Sequence, residues 1–561
     1  MRSGPRDRKR RPHSAARRFL RVLILMSLPA LASGAEEQAA GTGAHPPIAT
    51  IRIERSDVFE VRESDRYFPY KLANRLHVET REHVIRRELL FDVGSPADPD
   101  VLYESERNLR RLGFLHDNSR ILTVSRPDGR VDVVVRVRDT WTTRPEISYE
   151  REGDRSTGRV SFVEQNVAGF GKVAGISFRR ELDRDSGGLM YQDPRLLGTW
   201  WTLDAEYFNR SDGILYSLAT GRPFYSLLTE RAGGVAGGHF SQVTELQLDG
   251  EDAPGFRQRQ TRGLIDLAHA FDRGYDRVRR LDWRLRVEDD AFAIEPGEPP
   301  LDPRPPLGGA GYAALPDDRR FRILELEYRH LDVDYVKAAF LDRFDRTEDL
   351  NLGEDWSVSL GVSPDFLGDA RDRLFFGGRY ERWHRLGEIA YLRTGARLSG
   401  RTETGRGRNV LGGLDVSWYH LGWPRQTLVA HAGFAFGHAM DGDGQILLGA
   451  DTGLRGFDNR RFDGNKRVLL NVEDRVYLLF DWARLLSIGV VAFADAGYVW
   501  RAGRGVDPGD LLADVGVGLR FDLTRGRSGT VIRLDWAYPL SRLGQEENPG
   551  GVLSFSTGQA F

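Results

Sequence analysis

The feature that most limits how this chain can fold is a strict two-residue alternation in its last quarter. Val515, Val517, Leu519 and Phe521 are apolar, and Asp514, Gly516, Gly518, Arg520 and Asp522 fill the positions between them. Ile532, Leu534, Trp536 and Tyr538 alternate in the same way with Arg533 and Asp535, as do Leu470, Val472 and Val476 with Asn471, Glu473 and Arg475. Successive side chains of a strand point to opposite faces, so each stretch predicts a strand with one apolar and one polar face. A sandwich would turn the apolar face into a core, whereas a membrane barrel would turn it to lipid. Alternation alone does not choose between them.

Composition and the N-terminus bear on that choice. Mean hydropathy is -0.44, and 29% of residues are charged with a net charge of -2. Helical membrane spans are excluded, but a barrel is allowed, because only every second strand residue must meet lipid. The 63 glycines and 10% aromatics suit bends and interfacial rings. Near-zero net charge argues against nucleic-acid binding, and the absence of cysteine removes disulfides, thiolate metal sites and a lipoprotein anchor. An Arg-rich segment from Arg2 to Arg21 precedes the apolar run Val22 to Ala32 and the small residues Ala32-Ser33-Gly34-Ala35. This is the layout of a secretory signal peptide over residues 1–35, too short to span a bilayer as a helix. Together with barrel patterning it points to a two-membrane bacterium.

After a linker at 36–47, residues 48–140 predict a separate β-α-α-β-β unit. Ala49 to Ile53 reads as a strand, and Thr80 to Leu90 and Asp98 to Leu112 read as helices. The second has Asp98 as N-cap, Pro99 in the first helical position and Gly113 as terminator. Arg120 to Ser125 and Val131 to Val137 read as strands joined by Pro127-Asp128-Gly129. Leu102, Leu109 and Leu112 form an apolar helical stripe. From about Arg144 the helical periodicity gives way to strand alternation. The Pro-rich stretch Glu295 to Pro306, followed by Gly308-Gly309, reads as a long loop.

Leu454-Arg455-Gly456-Phe457, followed by Phe493-Ala494-Asp495-Ala496-Gly497 and a final Phe561, resembles the barrel of the BamA/TamA-type outer-membrane insertase superfamily, also called the bacterial surface antigen family. Val84-Ile85-Arg86-Arg87-Glu88-Leu89 and Asn108-Leu109-Arg110-Arg111-Leu112-Gly113-Phe114 resemble segments of its periplasmic module, the POTRA domain, and Gln165 to Gly171 resembles its early barrel. The resemblance implies a transmembrane β-barrel over 141–561, preceded by one POTRA domain. It also implies a long external loop folded back into the lumen. There Arg455 would engage Asp495, Gly456 would allow a tight backbone, Phe457 would pack, and Glu473 and Arg475 would complete a network beside Gly497. Leu553 to Phe561, with Phe555, Gly558 and Phe561, resembles the signal read when such barrels are inserted.

Five strand-like stretches follow the Leu454-Arg455-Gly456-Phe457 segment, near 467–478, 486–496, 512–523, 530–538 and 551–561. They fit a 16-stranded antiparallel barrel if that segment lies between strands eleven and twelve. Asp474 is a departure, since alternation points it outward at a position usually aromatic in the family. Gly169-Phe170-Gly171-Lys172 lacks the Gly-Lys-Ser/Thr start of a phosphate loop and reads as a turn between strands. The histidines form no H-E-x-x-H spacing. The expectation is therefore a non-enzymatic outer-membrane factor without catalytic residues, metal or cofactor, acting on unfolded or secreted polypeptides. Its POTRA domain would also be open to a periplasmic or inner-membrane partner. The alternative is a passive pore or a two-partner-type secretion channel.

Overall fold

The computed structural model describes residues 45–561 except 60–69, 72–73, 76, 153–154, 182, 249, 297–314, 369–370, 502, 504–507, 526–530 and 558–561. The expected signal peptide, most of the linker, and Gly558 and Phe561 lie outside the described residues.

The first unit is built on a three-stranded sheet. Strands β1 (Ile48–Ser56) and β3 (Val131–Arg138) pair in parallel, and β2 (Arg120–Ser125) pairs antiparallel with β3. Val131, Val133, Val135 and Val137 all point inward from β3 onto Ile48, Ile85, Leu109 and Leu115, forming one core. Helix α1 (Glu82–Arg86) is shorter than the expected Thr80 to Leu90. Its start is held extended because the Thr80 amide donates to Asp139 and the Asn166 amide donates to the Thr80 hydroxyl. Helix α2 (Pro99–Arg111) begins as expected, with the Asp98 carboxylate accepting the Asp100 amide at 2.9 Å. It ends on an extended Leu112, one residue before Gly113.

Twenty antiparallel strands among the described residues then form a closed order, in which the first, Thr143–Glu152, lies beside the last, Val552–Thr557. This corrects the expected sixteen. Six strands fit between Thr143 and Arg222 alone, because strands there run eight to ten residues and the last pair is joined by a hairpin of only two residues, Ser211 and Asp212. Downstream the strands lengthen to as many as eighteen residues. The Leu454 to Phe457 segment consequently lies between strands fifteen and sixteen, and five strands follow it, as read from the sequence.

The faces also follow the alternation. Leu470, Val472, Val515, Val517, Leu519 and Trp536 point outward and are exposed, while Asn471, Glu473, Arg475, Asp514, Arg520, Asp522 and Asp535 are buried inside. A surface apolar outside and charged inside reverses the order water requires and suits a bilayer. Asp474 does point outward, where Gln426, the first residue of the neighbouring strand, donates to it at 2.7 Å, so the register stands. No described helix is long and apolar enough to cross a membrane.

The barrel has a near end, beside the β1–β3 unit, and a far end. Strand direction alternates from Thr143 onward, so odd-numbered strands run from the near end to the far end and even-numbered strands return.

Candidate functional site

The connection from Ala439 to Asn465 leaves the far end and turns back into the lumen. Ile446–Leu448 pairs with Phe462–Gly464 as a small ribbon. Beyond it, Leu448, Leu454 and Phe457 pack on Leu469 and Leu512 of the wall. Gly456 lies so close to the wall that an added Cβ would stand 2.6 Å from the Asp514 Cβ, and its amide donates to Asp514 Oδ2 at 3.0 Å. Gly497 leaves room for Leu448, whose nearest methyl would lie 3.1 Å from a Cβ.

This packing delivers the Arg455 guanidinium into a nest of carboxylates. Its Nε donates to Asp495 Oδ2 at 2.7 Å and its Nη2 to Oδ1 at 2.8 Å, a bidentate fork. Nη1 donates to Glu473, and the guanidinium carbon lies 3.5 Å from the centre of the Phe493 ring. Glu473 also accepts from Arg475 Nε at 2.8 Å, while Arg520 pairs with Asp535. Arg455, Glu473, Arg475 and Asp495 are each at most 2% exposed. Geometry therefore brings together Arg455, Gly456, Phe457, Asp495, Gly497, Glu473 and Arg475. Phe555 is elsewhere, on the last strand opposite Leu534.

Sequence reasoning missed two further anchors of the same loop. Arg401 donates to both oxygens of Asp441 at 2.8 and 2.7 Å, and Arg319 to both of Asp443 at 2.7 Å. The signal available was Asp441-Gly442-Asp443-Gly444, two carboxylates in a glycine-rich turn shortly after a strand. Beside them the lumen keeps a cavity of about 1050 Å³ lined by Arg262, Arg284, Glu325 and Arg397 among others.

Sequence reasoning also missed the near end. The connection between strands Arg319–Asp332 and Glu354–Ser363 forms a hairpin, with Tyr335–Ala338 pairing with Glu348–Asn351. It reaches across the mouth to the opposite wall. Leu341 and Leu350 pack on Tyr391, Tyr419 and Val429, and Phe344 packs on Tyr477 and Val531. Arg475 Nη1 donates to the Leu341 carbonyl at 2.8 Å, so Arg475 touches both this hairpin and Glu473. At the tip, Glu348 accepts from the amides of Leu341 and Asp342. Burial, with Asp342 adding repulsion, pushes its carboxyl up to about 7.

Below the hairpin lies α2, whose Glu104, Glu106, Arg107, Asn108 and Arg110 are buried despite their polarity. Arg110 forks onto Asp349 at 2.9 and 2.7 Å, Lys337 donates to Glu106 at 2.9 Å, and Arg107 lies 3.9 Å over Tyr335. Burial works against the Glu106 carboxylate, yet Lys337, the Ile121 amide and Arg110 hold it below its usual range. Glu104 accepts from the Leu227 amide at 2.8 Å, and Glu88 pairs with Arg195. The Gly169-Phe170-Gly171-Lys172 turn belongs to this contact. Gly169, at φ 77°, accepts from the Arg81 amide at 3.0 Å, and Arg81 lies 3.9 Å over Phe170.

The molecule is thus a closed antiparallel barrel, apolar outside and charged inside, with its own loop pinned in the lumen. Residues 419–561 match the Omp85 superfamily domain, which bears out the resemblance to the BamA/TamA-type superfamily. No curated protein matches the chain. Among solved structures, BamA from Haemophilus ducreyi lacking POTRA domains 1-3 is 12% identical over 92% of this chain and 84% of that one, with a TM-score of 0.39. CdiB from Acinetobacter baumannii is 11% identical over 92% and 74%, with a TM-score of 0.45. CdiB from Escherichia coli is 12% identical over 93% and 92%, with a TM-score of 0.34.

Proposed function

We propose that the chain is a bacterial outer-membrane barrel that inserts or translocates polypeptides, with residues 48–140 as a single periplasmic POTRA domain and 141–561 as the barrel. On this reading the near end faces the periplasm, Arg455 and its partners anchor the external loop, and Phe555, Gly558 and Phe561 belong to an insertion signal. The chain acts without a cofactor or catalytic group, and its clients are unfolded or secreted polypeptides. The observation that carries the proposal is obstruction at both ends, by the Arg455 loop from outside and by the 335–351 hairpin backed by α2 from inside. A passive pore gains nothing from two stoppers, whereas a barrel that works through its wall tolerates both.

The test is reconstitution of the full chain in liposomes. Faster folding of an unfolded barrel client than in empty liposomes, abolished by a disulfide introduced between the strands Thr143–Glu152 and Val552–Thr557, is expected. The chain has no cysteine of its own to interfere. The secretion-channel reading draws on the 1050 Å³ charged lumen cavity. It becomes the better one if the locked barrel keeps full activity while ions still pass through the lumen.

A further inference from the structure

Among the described residues, the 335–351 hairpin is the long near-end connection that crosses the mouth, and its two faces meet different parts of the molecule. Its lower face is charged and meets α2 through Asp349 with Arg110 and Lys337 with Glu106. Its tip meets the wall through the apolar Leu341 and Phe344, both fully buried. Arg346 bridges the two, since it donates to Asp522 of the wall at 3.0 Å and stands 4.0 Å from Asp117 of the first unit. The tip carbonyl of Leu341 is held by Arg475, Arg475 by Glu473, and Glu473 by Arg455 of the external loop. A connected line of ion pairs and hydrogen bonds therefore runs from the hairpin tip to the external loop, and the hairpin itself joins that line to α2.

We infer that this hairpin is a displaceable stopper, latched by α2 through the Arg110–Asp349 and Lys337–Glu106 pairs, and that its withdrawal opens the lumen and loosens the external loop through Arg475. The latch is made of ion pairs, whereas the seat adds the apolar contacts of Leu341 and Phe344 to the Arg346–Asp522 pair. Such a division lets an event at the POTRA surface release the tip without unfolding the barrel. An extended polypeptide pulling on the unit that carries α2 supplies that event. The inference rests on the membrane-barrel reading and adds a resting, closed state to it.

The experiment compares the full chain with Asp349→Arg and with the exchange Arg110→Asp/Asp349→Arg, in planar bilayers and by hydrogen exchange. Heat-modifiable migration shows first that each barrel is folded. Asp349→Arg sets two guanidinium groups against each other, so amides 339–347 should exchange about a hundredfold faster or more, as expected for a broken buried pair. Single-channel conductance should rise with them, and the double exchange should restore both in part, since a carboxylate at 110 meets the new guanidinium at 349 but also faces Glu106. Unchanged exchange in Asp349→Arg would show that α2 is not the latch. Faster exchange without added conductance would show that the hairpin is not the seal, and either result overturns the inference. If Asp349→Arg does not fold, Lys337→Glu gives the same readings at the second pair. Failure of the parent chain to enter a bilayer would overturn the membrane-barrel reading and this inference with it, whereas entry with an unlatched but silent hairpin overturns this inference alone.

Discussion

Replacing Arg455 by Ala separates what holds the far-end loop from what holds the barrel. The substitution removes the two bonds to Asp495, the bond to Glu473 and the stacking on Phe493. Glu473 keeps Arg475 and Arg520, so the loss falls chiefly on Asp495, which retains the Asn471 amide at 2.7 Å. Breaking one side of a buried pair costs about 3–5 kcal/mol, which is roughly two to four powers of ten in the occupancy of the anchored loop. The barrel strands lose no ladder bond, so heat-modifiability should survive. The readout is hydrogen exchange at Gly456, whose amide bonds to Asp514. Arg455→Lys keeps the charge but not the fork and should fall between the two. Exchanging the charges, Arg455→Asp with Asp495→Arg, should restore little, because a carboxylate at 455 would face Glu473 and Asp535. Gly456 exchange within about tenfold of the parent, or loss of the barrel together with the loop, would refute the reasoning.

Three further outcomes are expected. Deleting Phe561 should leave the protein in the periplasm, and wild-type levels of heat-modifiable barrel in the outer membrane would contradict that. Asp98→Ala should cost about 1 kcal/mol of stability in the first unit, as loss of an N-cap does, read by denaturant melting of that unit's signal. Glu348 has a folded pKa of about 7, raised above its ordinary value of 4.5, so its contribution to seating the hairpin is complete below about pH 4.5 and is lost as pH rises through 7. The titratable and charged groups that face it are Asp342 and Arg343 on the hairpin and Tyr419 and Tyr477 on the wall. Amides 339–347 should thus exchange more slowly at about pH 5.5 than at about pH 8 once intrinsic rates are corrected, and Glu348→Gln should flatten the difference.

The strands after Leu454 were legible because each carries its own alternation, and one face had to be apolar whatever the architecture. The strand total was not, because the six strands from Thr143 to Arg222 are only eight to ten residues long, too short for their alternation to stand out. Arg455 and Asp495 could be paired through a motif, but Arg319 and Asp443, 124 positions apart, have no local pattern that joins them. Glu104, Glu106 and Arg110 lie off the apolar stripe of Leu102, Leu109 and Leu112, and nothing in the sequence marks that side for burial. Only the tertiary structure shows that this side meets Leu227, Lys337 and Asp349.

That buried polar side of α2 has a thermodynamic consequence. A contact made mainly by carboxylates, guanidinium groups and backbone amides gives up little apolar area when it parts, so undocking should carry a small heat-capacity change. Its strength should instead follow ionic strength, because added salt screens the separated partners. The first unit therefore behaves as a berth rather than a weld: it can leave the barrel mouth and return without either surface becoming sticky in between.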